Sequence, residues 1–558
     1  MTLSFQVSSP SSSTSHFGPR LGRVAFKNGT NLITPNLITP TSRGIVPHLS
    51  RDNLIRTSSI SWLHVPYESF LESKPPILAL GNSMHELLGY KRDRHVVSMS
   101  LRDLSDEREM PPNTAKYVSA WCIRGVRKVT PGDYREYISK AKPDLVYALA
   151  DVQPVVSQKR LIKSVERTAE WLVQLLKPSD SKDNALAPSV LLQMPGGQSM
   201  AARSAFARTI LEPLHPTEID ALRPLSLGSL DDGISGYVVD GSPDLMKASL
   251  DSLDINKPRI AHTSSFSAIS DTSYETSPSV GVDMIRGPHD ILVLIRDVGI
   301  DLFGAEWAVK LAQWGVALDF EFPVPRTPEN SNQSGEASGG FPRLRASKRD
   351  IGHNLYDVRY RTDFNRLLNP VSTLLCPCFA CDPSSCLPEE VIRHSHVDDP
   401  PSSYLKSPSQ SSHTHPPHTR AYIHHLLHTH EMSSHSLLVS HNLEVFSAFL
   451  GGVRRVLESN RSEFNGEVEK FFGYYDSGDA GHNYPSKVAQ EAEAVVEATV
   501  AEASVGQSDE ILASASQSYH EISEGGIGIV LFDEARACHA EVERLRGKGS
   551  LKRDREGA

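Results

Sequence analysis

Short aliphatic and β-branched runs recur along the chain: Ile77 to Leu80, Tyr117 to Trp121, Leu145 to Leu149, Val190 to Met194, Tyr237 to Val239 and Ile291 to Ile295. Each reads as a buried strand. Helical patterns lie between several of them. The clearest is Gln158 to Lys177, where Leu161, Val165, Thr168, Leu172 and Leu175 fall on one face. Strands that alternate with helices and are apolar throughout predict a parallel sheet covered by helices, and six or more such units favour a closed (β/α)8 barrel over an open sheet.

Polar stretches interrupt the alternation at Pro178 to Ala187, Ser242 to Val280, Pro325 to Gly340 and Asp382 to Pro417. Their Ser, Pro, Asn and Gly content cannot offset the entropy of ordering, so they are expected to be surface insertions without fixed structure. The expected organisation is a barrel over 5–375, interrupted at about 178–187, 242–280 and 325–340. A C-terminal subdomain follows over 376–458 with a loop at 382–417, and then a variable, partly disordered extension over 459–558.

With 558 residues, 39% of them hydrophobic, the chain can bury at least one large core. A formal net charge of -10 excludes coating nucleic acid by bulk positive charge, so any RNA contact must be local. The string Arg343, Arg345, Lys348 and Arg349 is the candidate, against the blander reading of a solvated loop. No run approaches the roughly 20 apolar residues of a membrane span, and the N-terminus lacks the apolar core of a secretory signal. The expectation is a soluble cytoplasmic protein, with peripheral association with mitochondria as the alternative. No acidic residue precedes Asp52, a composition found in transit peptides, although the same segment also reads as folded domain.

Four of the six cysteines, Cys376, Cys378, Cys381 and Cys386, crowd into eleven residues. The C-x-C-x-x-C spacing of the first three puts soft thiolate ligands within six residues of one another. A shared zinc ion is the natural reason for that, and a three-cysteine cluster needs one more ligand to close a structural tetrahedron. Cys386 is one candidate. Histidine competes, with eleven of 23 histidines lying between His394 and His441. His394, His396, His413, His415 and His418 belong to the Pro/Ser-rich loop, while His424, His425, His428 and His430 ride on a helix starting near Arg420. His441 is expected to open an amphipathic helix whose Leu443, Phe446, Leu450 and Val453 face one way.

The segments NLYDVRYRTDFNRLL (354–368), CPCFAC (376–381), HTRAYIHHLL (418–427) and SHNLEVF (440–446) resemble the C-terminal part of the tRNA-guanine transglycosylases, called queuine tRNA-ribosyltransferases in eukaryotes. Weaker echoes upstream, at 19–24, 41–50, 159–172, 236–241 and 298–303, extend the resemblance over most of residues 5 to 458. The resemblance implies a (β/α)8 TIM barrel with a C-terminal zinc-binding subdomain. It also implies one structural zinc on Cys376, Cys378, Cys381 and His441, and makes the N-terminal segment part of the barrel. The stretch between Cys381 and His441 is longer than the family pattern, but the insertion begins after the last cysteine and ends before HTRAYIHHLL, so it can loop out.

Members of that family exchange a base at a ribose through a carboxylate nucleophile, carried as the last residue of a D-[ML]-F-D string at the end of a barrel strand. Here the string reads Asp301, Leu302, Phe303, Gly304, and glycine cannot attack. The DSGGFQ string that supplies a second aspartate is missing; the place expected for it reads ILALGNSMH (77–85). The resemblance is therefore to the family's silent subunit, with no catalytic residues of its own. Its implied partners are a catalytic barrel subunit in a heterodimer and the tRNA whose wobble guanine is exchanged for queuine. The rival readings are a catalytically active transglycosylase whose residues lie elsewhere, and a stand-alone zinc-stapled RNA-binding module.

Overall fold

The computed structural model describes residues 3–8, 18–71, 83–104, 110–122, 125–152, 157–178, 189–253, 257–263, 287–325, 348–369, 375–382 and 417–476. Eight parallel strands close a barrel: Asn36–Pro40, Trp62–Pro66, Val96–Ser100, Leu145–Tyr147, Ser189–Gln193, Gly236–Val238, Ile260–Thr263 and Leu302–Gly304. Each pairs with the next in the sequence, and the last returns to the first in the register Phe303 to Leu37. Nearly every strand residue is buried because the barrel interior takes one set of side chains and the surrounding helices the other. The longest of those barrel helices, Gln158–Leu176, buries Val165, Thr168, Leu172 and Leu175 as its spacing requires.

The N-terminal segment is folded, but it does not enter the barrel wall until Asn36. Leu3–Ser8, Leu21–Phe26 and Asn31–Thr34 form an antiparallel sheet with strict alternation in the first strand, Leu3 and Phe5 in, Ser4 and Gln6 out. Leu3, Phe5, Val24 and Phe26 pack on Ile38, Trp62, Val96, Leu145, Tyr147, Leu191, Val238, Ile260 and Leu302, so every barrel strand contributes. This sheet closes the end of the barrel opposite the mouth.

Some expectations need correction. Ile291 to Ile295 is helix: Pro288–Val293 runs into a wider turn to Val298, and Ile291, Leu292, Leu294, Ile295 and Val298 are all buried, a helical spacing hidden in a continuous apolar run. Tyr117 to Trp121 does contain a strand, Val118–Cys122, but it pairs with Gly125–Val129 in a hairpin outside the barrel. The polar stretch 242–280 is not wholly an insertion. It holds the helix Pro243–Asp251, capped by Ser242, and the seventh barrel strand Ile260–Thr263, whose His and Thr masked its strand character. The expected insertions at 178–187 and 325–340 and the loop at 382–417 lie almost wholly outside the described residues, as do Ile77 to Leu80, Cys386 and everything after 476.

The folded unit also runs past Glu458. The helix Phe464–Tyr474 buries Phe464, Val468 and Phe471, and Tyr475 closes an aromatic cluster with Phe320, Phe322 and Phe449. Contrary to the expectation that no segment could span a membrane, the helix Ser433–Ser459 is long and apolar enough to do so. Yet 78% of its most apolar window is buried inside the protein, the signature of a core helix. It passes so close to the Phe322–Pro323 backbone that a Cβ on Gly452 would lie 1.6 Å from the Phe322 carbonyl oxygen.

Candidate metal centre and barrel mouth

After the eighth strand the chain forms the helix Glu306–Gln313 and then the strand Val316–Leu318, which pairs with Gly352–Asn354 outside the barrel. The long helix Ser433–Ser459 lies across both, and the pair His441–Asn442 makes the joint. Asn442 is fully buried; its Oδ1 accepts from the Leu318 amide at 2.9 Å, and its Nδ2 donates to the carbonyls of Val316 (2.9 Å) and Ala308 (3.1 Å). His441 Nε2–H donates to the Leu318 carbonyl at 2.8 Å. That bond fixes the tautomer, so His441 Nδ1 carries the lone pair and faces the knuckle.

Around Nδ1 stand Cys381 Sγ at 3.3 Å and Cys376 Sγ and Cys378 Sγ at 3.7 Å each. All four ligand atoms lie within 4.8 Å of one another. A tetrahedral zinc with ordinary Zn–S and Zn–N bonds sets an S···N edge of about 3.6 Å, so the donor set has the size as well as the softness for such an ion. The backbone shapes the knuckle: the Cys381 amide donates to Cys378 Sγ, and the amides of Cys381 and Asp382 both donate to the Cys378 carbonyl.

The electrostatics fit the same purpose. Burial opposes charge on His441, yet the surrounding thiols, Cys381 foremost, push its imidazole above the ordinary value. Hydrogen bonding from Cys378 and Cys381 pushes Cys376 down, while burial, then its two neighbours, pushes Cys378 up. Which thiol yields its proton is a property of the group, and a divalent cation replaces those shared protons outright.

The first barrel loop braces the knuckle, a feature the sequence reading missed. Glu444, one turn beyond His441, accepts from Ser58 Oγ (2.9 Å) and the Ser59 amide (2.8 Å), and Ser440 Oγ meets Thr57 Oγ1 at 3.0 Å. The Arg56 guanidinium lies over the Phe379 ring between the cysteines, 5.2 Å from its centroid. The only signal for these was polar residues on an otherwise apolar helix. His441 itself sits two turns inside a continuous helix and does not open one, because Ser433 to Ser440 keep helical backbone.

At the barrel, Asp301 and Gly304 stand at opposite ends of the eighth strand. Asp301 is fully buried at the closed end: Arg20 grips it with Nη2 on Oδ2 at 2.5 Å and Nε on Oδ1 at 3.1 Å, and the Ala261 amide and Thr34 Oγ1 add two more bonds. Gly304 ends the strand at the mouth. Inside the barrel, His64 bridges Ser98 (3.1 Å) and Ser100 (2.9 Å) of the third strand, and the Tyr147 ring packs between His64 and His262. Asp151, just beyond the fourth strand, is clamped by Arg160 (2.5 and 2.7 Å), Arg167 (3.1 Å) and Asn113 Nδ2 (2.9 Å).

One sequence expectation fails here, and a second can be followed only in part. The described part of ILALGNSMH is a cap and helix, Ser83 capping Met84–Leu88, and His85 packs against His95 and Asp144, which precede strands. It is far from the mouth, where the third strand presents Ser98 and Ser100. From the basic string, Arg343 and Arg345 lie outside the described residues, and Arg349 is committed to Asp319 at 2.5 Å. Although burial opposes it, His353 and Arg349 hold the Asp319 carboxyl down at about 2.

A closed (β/α)8 barrel that carries a buried Cys3His cluster on the elements following its last strand is the architecture implied by the resemblance to the transglycosylases. The family model for Queuine tRNA-ribosyltransferase matches residues 15–396 and 404–476, and the chain belongs to that family. It is 26% identical over 463 residues to the Queuine tRNA-ribosyltransferase accessory subunit 2 of Trichoplax adhaerens, covering 81% of this chain and 95% of the relative. Proteins of the same name from Danio rerio (24% identical, 80% of this chain and 94% of the relative) and Homo sapiens (23%, 80% and 94%) are also similar to it.

Proposed function

We propose that this chain is the catalytically silent half of a heterodimeric queuine tRNA-ribosyltransferase, supporting exchange of guanine for queuine at the wobble position of tRNA from the cytoplasm. The observation that carries the reading is the eighth strand. Gly304 ends that strand at the mouth, the position where the resemblance would put a nucleophilic aspartate, and Asp301 is locked at the other end in four hydrogen bonds. Asp151, the carboxylate beyond the fourth strand, is already neutralised by two arginines, which also counts against an active site here.

Cys376, Cys378, Cys381 and His441 would hold one zinc ion with no position left for water or substrate, so the ion would act as a staple and not as a Lewis acid. The outer surface of the stapled subdomain exposes Val358, Phe364, Leu375 and Tyr422. Phe364 lies beside the start of the helix Arg420–His428, held there by hydrogen bonds from the Arg420 amide to the Asn365 carbonyl and from the Ala421 amide to the Asp363 carbonyl. Exposed large apolar side chains gathered on one subdomain support a docking face for the catalytic subunit.

The deciding experiment is base exchange with labelled guanine by this chain alone, by a catalytic subunit alone and by their equimolar mixture. Activity only in the mixture is expected. Exchange by this chain alone would overturn the assignment.

A further inference from the structure

The helix Arg420–His428 carries histidines that the Cys3His knuckle does not use. His424 and His428 stand one turn apart on the same face, their ring centroids 4.3 Å apart and their planes inclined at 55°. One nitrogen of each is committed to the backbone of the neighbouring loop: His424 Nδ1–H donates to the Leu355 carbonyl at 2.8 Å, and His428 Nε2–H donates to the Tyr356 carbonyl at 3.1 Å. A neutral imidazole has a single N–H, so these bonds leave a lone pair on His424 Nε2 and on His428 Nδ1. Neither of those nitrogens has a hydrogen-bond partner among the described residues.

His441 uses the same device, one nitrogen tied to a carbonyl and the other turned to the three cysteine sulfurs. From this arrangement we propose that His424 and His428 form a second metal site, separate from the knuckle, for an exchangeable divalent cation of the zinc, nickel and copper class. Two imidazoles at i and i+4 on a helix form a chelating pair, and nitrogen donors select these cations over calcium or magnesium. The two histidines fill two coordination positions. His428 is exposed, so water completes the shell and the ion can leave, unlike one enclosed by three thiolates and a buried histidine. Metal at the free nitrogens acidifies the opposite N–H groups and strengthens their bonds to Leu355 and Tyr356, so occupancy tightens the helix on that loop.

The test is calorimetric titration of the full chain with nickel chloride at pH 7.5, after one equivalent of zinc has been loaded and its retention by the cysteines checked by elemental analysis. One nickel site is expected. His428→Ala should weaken it by at least about tenfold, while His425→Ala, on the neighbouring face, leaves it unchanged. A His394→Ala, His396→Ala, His413→Ala, His415→Ala variant controls for the histidine-rich insertion and should bind as the original chain does. Unchanged nickel affinity in His428→Ala, no nickel site in the original chain, or loss in the insertion variant would each overturn the proposal.

Discussion

Asp301 shows how a carboxylate at the end of a barrel strand can be architectural. Asp301 satisfies its carboxylate with Arg20, Thr34 and the Ala261 amide, so it ties the N-terminal segment to the seventh and eighth barrel strands. Breaking a buried pair by removing one charge strands the other, at a cost of about 3–5 kcal/mol. Asp301→Asn is therefore expected to lower the melting temperature of the chain by several degrees and to leave the exchange rate of the assembled enzyme unchanged once the protein is folded. A folded Asp301→Asn chain that melts normally but abolishes exchange would make Asp301 part of the chemistry. Gly452 makes the complementary case from packing, because Gly452→Ala puts a methyl against the Phe322 carbonyl and neither backbone can retreat cheaply. That variant should lose about 1–3 kcal/mol in denaturant unfolding, and full stability would mean that the helix Ser433–Ser459 can shift.

At the scale of elements, the knuckle matters because it joins pieces that have little else in common. The 375–382 turn, the strand Val316–Leu318 and the helix Ser433–Ser459 meet at His441 and Asn442, and Glu444 extends the joint to the first barrel loop. Chelating the ion that the cluster is proposed to hold, or removing one of its thiols by Cys378→Ser, should leave the remaining buried thiols and imidazole unsatisfied. The expected result is loss of about one equivalent of zinc and of the heterodimer, with the barrel still folded by circular dichroism. A zinc-free chain that still pairs with its partner would reduce the ion to a bystander.

How far these elements were legible follows from the signals they carry. The C-x-C-x-x-C spacing and the HN pair are local, so the four residues that meet in the cluster could be named in advance, while among the six apolar runs only those at 145–149, 190–194 and 237–239 hold barrel strands in the described residues. Strands such as Ile260–Thr263 and Leu302–Gly304 are three or four residues long and include His, Thr or Gly, so their apolar runs fall below what periodicity detects. Ile291 to Ile295 failed in the opposite direction, since a helix buried on most sides is as continuously apolar as a central strand. The brace from Glu444 to Ser58 and Ser59 joins residues almost 400 positions apart and left no local trace.

For the molecule as a whole, the barrel interior sets an acid limit. Burial pushes His64 down to about 3, with His262 adding to the effect, and burial alone pushes His262 to about 4; His95, beside the third strand, also falls to about 4, mainly through burial. In the unfolded chain all three return to about 6.5. A depressed folded value means that the unfolded state binds protons first, so the stability these histidines permit is complete above about pH 6.5 and is lost as the pH falls towards 4. Each pH unit in that window costs about 1.4 kcal/mol per histidine, and three such groups acting together can remove most of a domain's margin. The melting temperature of the zinc-loaded chain should therefore drop steeply between pH 6.5 and 4. His262→Gln, which cannot charge and can still donate to the Leu302 carbonyl, should make that slope shallower even if it lowers stability at pH 7.5. Zinc release, followed in parallel with a chelating dye, separates protonation of the knuckle from protonation of the barrel. If the slope of His262→Gln equals that of the original chain while zinc leaves over the same pH range, the acid sensitivity belongs to the thiolates and not to the buried histidines.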